Sequence, residues 1–114
     1  MSKVKSYAAL KADKPLHPHD INRRDINPDD VNIDILYCGV CHSDIHMARN
    51  EWNNTSIYPM VPGHEIIGIV KEVGSEVTKF KVGENVGVGV YVDACEKCEN
   101  CNTGKDHYCE EGIV

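Results

Sequence analysis

Val31, Ile33, Ile35 and Tyr37 are interleaved with Asn32, Asp34 and Leu36, the period of two that lays one face of a strand on a core. Val86, Val88, Val90 and Val92 repeat that period around Gly87, Gly89 and Tyr91, which predicts a further strand along the whole run. Between them, residues 65–73 form a β-branched, apolar stretch broken by Gly74-Ser75, a third strand. Residues 3–10 are also strand-like. Residues 11–24 carry Pro15 and Pro18 among Asp, Asn and His and predict an irregular connection into an edge strand, with His17 and His19 at the surface.

Asn27-Pro28-Asp29-Asp30 is a turn signal. Ser43 is suited to an N-cap and Asp44 to a first helical turn, so a short helix is predicted over 45–49. Residues 50–56 form a loop. The Pro-rich run 58–63 is expected to hold the backbone extended and deliver His64 rigidly. Several short strands with turns between them indicate a small barrel or sandwich.

The chain has 114 residues, enough for one domain or part of one and too few for a core plus a nucleotide-binding fold. A formal charge of -6 and a pI near 5.4 exclude the basic face that a nucleic-acid partner requires. Met1-Ser2-Lys3-Val4-Lys5 lacks the apolar core of a secretory signal, and no run reaches membrane-spanning length. The expectation is a soluble, cytoplasmic chain with no membrane partner. In a reducing compartment its 6 cysteines are thiols or metal ligands rather than a disulfide framework.

Four of them fall in a polar stretch with few apolar residues to hold it. Cys95-x-x-Cys98-x-x-Cys101, followed later by Cys109, can close a tetrahedral shell around Zn2+ with no open position, which makes a structural site of the lobe 93–110. Lys97 and Lys105 can offset the charge of a zinc tetrathiolate, and Glu96, Glu99, Glu110 and Glu111 are expected to point outward.

A second constellation lies upstream. Cys41 and, some twenty residues on, His64-Glu65 offer a thiolate, an imidazole and a carboxylate, a candidate partial shell for a catalytic zinc. Ser43 and His46, three residues apart, are what a proton path leading away from a metal needs. Cys38-Gly39-Val40-Cys41 is formally a CxxC, but no second half of a thioredoxin unit follows, and Cys38 is read as a buried thiol.

Gly39 to His46, Tyr58 to Glu65, Val73-Gly74 with Lys81-Val82-Gly83, and the four-cysteine lobe together resemble the zinc-dependent medium-chain alcohol dehydrogenases, in particular the cinnamyl alcohol dehydrogenase-like subgroup. The resemblance runs from about Val31 onward. It implies a mainly β fold, a GroES-like partly open barrel with short helices and a zinc-stapled loop lobe. It implies hydride transfer between a primary alcohol or aldehyde and a nicotinamide cofactor, NADP in preference to NAD.

By the same resemblance, Cys41 and His64 are two catalytic-zinc ligands with Glu65 a neighbouring or exchangeable one. Asp44 orients the ligand imidazole, Ser43 takes the alcohol proton and His46 passes it outward through the cofactor ribose. His42 faces the cofactor pyrophosphate, and Trp52 walls the substrate pocket.

The family's third zinc-ligating cysteine and any Gly-x-Gly-x-x-Gly turn are not found in this sequence. The expectation is therefore the amino-terminal portion, 1–114, of a GroES-like catalytic domain without its nucleotide-binding domain, inactive alone and prone to self-association through exposed apolar surface. The competing reading is a free-standing, zinc-stapled barrel that serves as a binding or scaffold module.

Overall fold

Pro18 does not prevent a strand from forming around it. In the computed structural model, which describes residues 1–112, β1 (Ser2–Ala8) and β2 (His17–Arg23) form an antiparallel hairpin in which Tyr7 faces Pro18. The hairpin is a sheet of its own, so the missing Pro18 donor falls where no further strand needs it. The strand therefore begins inside the stretch expected to be irregular. His17 and His19 share the inner face with Ala8 and Ser6 and are half-buried rather than surface residues.

A second sheet has the order β3 (Val31–Cys38), β4 (Ile66–Val73), β5 (Asn85–Val88), antiparallel throughout. Its entry is the predicted turn. Asp30 N–H donates to Asn27 O at 3.1 Å, while Gly74 N–H donates to Asp30 O and Glu76 N–H to Pro28 O, each at 2.8 Å. These bonds clamp the turn to the end of β4. The Asp30 carboxylate also pairs with Arg24 and accepts the Asn27 N–H at 2.7 Å.

Two strands depart from the alternation read in the sequence. Register shifts between Ile35 and Tyr37 leave Leu36 without a partner opposite β4, a bulge that breaks the period of two. From Ile35 onward the strand is exposed. Ile35, Leu36 and Tyr37 are exposed, and so is Cys38, which is not the buried thiol expected. β5 ends at Val88 because its partner β4 starts at Ile66; Val90, Tyr91 and Val92 have no ladder and stay exposed.

Ala8, Ala9 and Val70 are the buried hydrophobic residues among those described. Ala9 exchanges backbone hydrogen bonds with Met60 at 2.9 and 2.8 Å, which ties the hairpin to the Pro-rich run leading to His64. That run is not uniformly extended, since the Tyr58–Pro59 peptide is cis. The two sheets share no ladder among the described residues; the barrel is partly open, with short helices, as the sequence implied. No helix among the described residues is long and apolar enough to cross a membrane.

Candidate metal centres

Helix α1 (His42–Ala48) starts two residues earlier than Ser43 would set it, and its N-cap is Cys41, with φ -120 and ψ 152. A thiol is a poor cap acceptor compared with Ser or Asp. Asp44, three residues on, compensates by accepting the Cys41 N–H at 2.9 Å through Oδ2, the return half of a capping box. Ser43 is thereby freed from capping.

The Ser43 hydroxyl stands between the two candidate ligands, 3.1 Å from Cys41 Sγ and 3.3 Å from His64 Nε2. Asp44 Oδ1 lies 3.1 Å from His64 Nδ1, so that one carboxylate holds both the helix start and the imidazole. With Nδ1–H donated to Asp44, Nε2 is the ring nitrogen that faces the Cys41 sulfur and the Ser43 hydroxyl. Hydrogen bonds from the Ser43 side chain and backbone, then from His64, hold the Cys41 thiol below its ordinary range. In turn the Cys41 sulfur, with help from Asp44 and against the cost of burial, raises the His64 imidazole. A thiolate beside an oriented imidazole suits a divalent transition-metal ion.

A second cluster forms around His46 on α1. Its ring packs against His42 at 4.7 Å between centroids and against Trp52 at 5.2 Å, and its Nδ1 lies 3.2 Å from Glu51 Oε1. Glu51 is a site residue that sequence reading missed. It sits in the loop after the helix, and its backbone N–H, bonded to His46 O at 2.9 Å, folds it back onto His46. Only the five-residue spacing past a helix end hinted at this. Glu65 stands apart: it is exposed, and it does not join Cys41 and His64 in a ligand cluster among the described residues.

The four-cysteine lobe is the tighter cluster. Cys98 caps α2 (Glu99–Asn102), and a 3-10 turn over Asp106–Tyr108 carries the chain to Cys109. All four Sγ atoms lie within 4.8 Å of one another. The Cys95 and Cys101 sulfurs are 3.8 Å apart, close to the roughly 3.8 Å edge of a tetrahedron built on Zn–S bonds of about 2.3 Å. No disulfide competes, since all the cysteines are free.

Backbone N–H groups already point at the sulfurs, from Cys98 to Cys95 Sγ at 3.3 Å, from Lys97 to Cys95 Sγ at 3.4 Å and from Cys95 to Cys109 Sγ at 3.4 Å. Such donors pull Cys98 down to about 7 and lower Cys109, whereas burial, followed by the neighbouring sulfurs, pushes Cys101 up to about 12. The sulfurs are prepared for negative charge but oppose one another's ionisation, which a dication among them relieves. Glu96, Glu99, Glu110 and Glu111 all face outward.

Residues 27–114 match the family model described as the alcohol dehydrogenase GroES-like domain. The chain is 55% identical over 109 residues to NADP-dependent alcohol dehydrogenase C 1 of Mycolicibacterium smegmatis, covering 96% of this chain and 31% of that protein. It is 53% identical over 108 residues to the aldehyde reductase YahK of Escherichia coli, covering 95% and 31%. Among solved structures, the cinnamyl alcohol dehydrogenase SbCAD4 of Sorghum bicolor superposes with a TM-score of 0.91 at 46% identity, over 99% of this chain and 31% of that one. The Helicobacter pylori protein CAD, solved with NADP(H), gives 0.91 at 49%, over 98% and 32%. The chain thus spans about a third of the length of the relatives it matches.

Proposed function

Since the chain belongs to the GroES-like domain family of alcohol dehydrogenases, we propose that it is the amino-terminal portion of the catalytic domain of a zinc- and NADP-dependent alcohol dehydrogenase or aldehyde reductase. Residues 93–110 form its structural zinc lobe. The observation that carries the reading is the Ser43 hydroxyl within 3.3 Å of both Cys41 Sγ and His64 Nε2, with Asp44 behind the imidazole.

In that reading Cys41 and His64 would hold the catalytic zinc, and Glu65, exposed and outside the pair, is not a ligand in this arrangement. Zinc supplies Lewis acidity at the oxygen of a primary alcohol or aldehyde, and NADP supplies the hydride acceptor or donor. The chain's own residues orient and move protons. Asp44 keeps the His64 proton on Nδ1, and Ser43 accepts a proton from the substrate hydroxyl because a hydroxyl donates and accepts at once. His46, held by Glu51 and stacked on Trp52, receives protons at the helix surface; His42 beside it is the cofactor-side group, and Trp52 lines the substrate side. Turnover requires a nicotinamide site, and this chain alone is expected to be inactive. Six free thiols suit a reducing cytoplasm.

Metal titration tests the reading. With the four-cysteine lobe filled by zinc, Co2+ is expected to bind weakly at the second centre and to produce a thiolate charge-transfer band that disappears in Cys41→Ala. The lobe zinc should survive mild chelation, with one equivalent retained, because four thiolates close its shell. Absence of any Cys41-dependent band would sink the catalytic assignment, and a lobe stripped as easily as the second centre would sink the structural one.

A further inference from the structure

The loop that leaves α1 is rich in asparagine for a conformational reason. Asn50, Asn53 and Asn54 have positive φ, at 58, 53 and 57°, the left-handed region that asparagine tolerates better than most residues with a side chain. The returning chain closes the end of the helix: Ser56 Oγ donates to Met47 O at 2.5 Å and Tyr58 OH to Ala48 O at 2.7 Å, partners for carbonyls at a helix terminus. One amide bonds across the loop. Asn50 Oδ1 accepts the Ser56 N–H at 3.1 Å, and Asn50 Nδ2 donates to Asn54 Oδ1 at 3.2 Å. Trp52 lies between these anchors and is 47% exposed, so its place depends on the shape of the loop rather than on burial in a core. Its indole rests on the His46 ring at 5.2 Å between centroids.

We infer that Asn50 is a positioning residue that sets the Trp52 indole against His46. Trp52 O accepts both the Thr55 N–H at 3.1 Å and the Thr55 hydroxyl at 2.7 Å, so residues 52–55 form a closed turn that moves as a unit. The Asn50 amide ties that unit to Ser56, which is itself fixed on the helix end, and the positive φ of Asn50 turns the chain back as it leaves the helix. The inference rests on the roles proposed for His46 and Trp52 and goes beyond them by naming the side chain on which their spacing depends. The wall of the substrate side and the outer end of the proton path are thereby set together.

Two substitutions separate the side chain from the backbone. Asn50→Gly keeps the positive φ and removes both side-chain bonds. Asn50→Asp keeps an acceptor for the Ser56 N–H, and Asn54 can turn its amide to donate to the carboxylate. The readout is the set of nuclear Overhauser contacts from the His46 ring protons of the zinc-filled protein. Contacts to the Trp52 indole are expected in the unaltered protein and in Asn50→Asp and are lost in Asn50→Gly. The contact between His46 and His42, 4.7 Å apart within α1, should persist in all three. Survival of the Trp52 contact in Asn50→Gly overturns the inference, as does its loss in Asn50→Asp. Loss of the His42 contact together with that of Trp52 also overturns it, because Asn50 would then only hold the helix end.

A measurement on the unaltered protein stands independently of how the variants fold. The Ser56 amide, bonded to Asn50 Oδ1, should exchange its hydrogen more slowly than a free chain does; exchange at the free-chain rate overturns the closure. These readouts concern geometry alone. Absence of the Cys41-dependent Co2+ band would remove the catalytic reading of His46 and Trp52 while leaving their contact in place, a result distinct from a contact that ignores residue 50.

Discussion

Asp44 performs two tasks with one carboxylate, and the two can be separated. Oδ2 accepts the Cys41 N–H at the start of α1, and Oδ1 faces His64 Nδ1. Asn at this position still accepts the cap bond but cannot act as the negative partner that fixes the imidazole. Asp44→Asn is therefore expected to leave thermal stability nearly intact while weakening Co2+ at the Cys41–His64 centre by about 10- to 100-fold. Asp44→Ala should lose the affinity as well and cost a further roughly 1 kcal/mol of stability from the lost cap. Equal losses of stability in both variants, with metal affinity untouched, would refute the division.

At this scale the sequence brought Cys41, Ser43, Asp44 and His64 to one place but misassigned the cap to Ser43. Hydroxyls are better caps than thiols, and nothing local shows that Asp44 reaches back to rescue Cys41. Glu51 was not legible, because it acts through a contact set by the fold around it.

Among the elements, the turn before β3 is the one whose stability is written in a charge. Arg24, and then the Asn27 N–H, hold the Asp30 carboxyl at about 2 against an ordinary 3.8. A carboxyl lowered in the folded state contributes stability above the unfolded value and loses it as pH falls towards the folded one. Urea midpoints should thus drop between pH 3.8 and about 2, and more steeply in the unaltered protein than in Asp30→Asn, which keeps an acceptor for Asn27. Parallel acid profiles would show that the pair contributes nothing, the usual fate of an exposed ion pair.

Strand existence was legible from periodicity, and strand limits were not. The valine alternation runs to Val92, but pairing stops at Val88 because β4 offers no partner beyond Ile66. In β3 the alternation promised a covered face through Tyr37, and the bulge at Leu36 removed it. Both errors have one origin: a strand's period is a property of its own residues, whereas its ends and register belong to its neighbour.

At the scale of the whole molecule the surface is too large for the chain length. A compact monomer of 12.7 kDa exposes about 6200 Å2 on the usual scaling, while this chain exposes 8767 Å2. Its radius of gyration, 15.7 Å, likewise exceeds the roughly 13 Å of a compact domain this long. The excess of about 2500 Å2 is the size of an extensive permanent interface, and apolar groups contribute to it: Tyr37 is 72% exposed, Val40 88% and Ile57 79%.

A core of Ala8, Ala9 and Val70 offers little to set against the cost of leaving that surface wet. The chain is therefore expected to self-associate, with a sedimentation coefficient that rises with concentration, unless a larger body covers the same face. Tyr37→Lys and Ile57→Lys replace two of these exposed apolar side chains with charges and should together shift the distribution towards monomer without changing zinc in the four-cysteine lobe, whose ligands are other residues. Monomeric sedimentation of the unaltered protein at high concentration would mean that the uncovered strand β3 tolerates water, and that the excess area does not drive assembly.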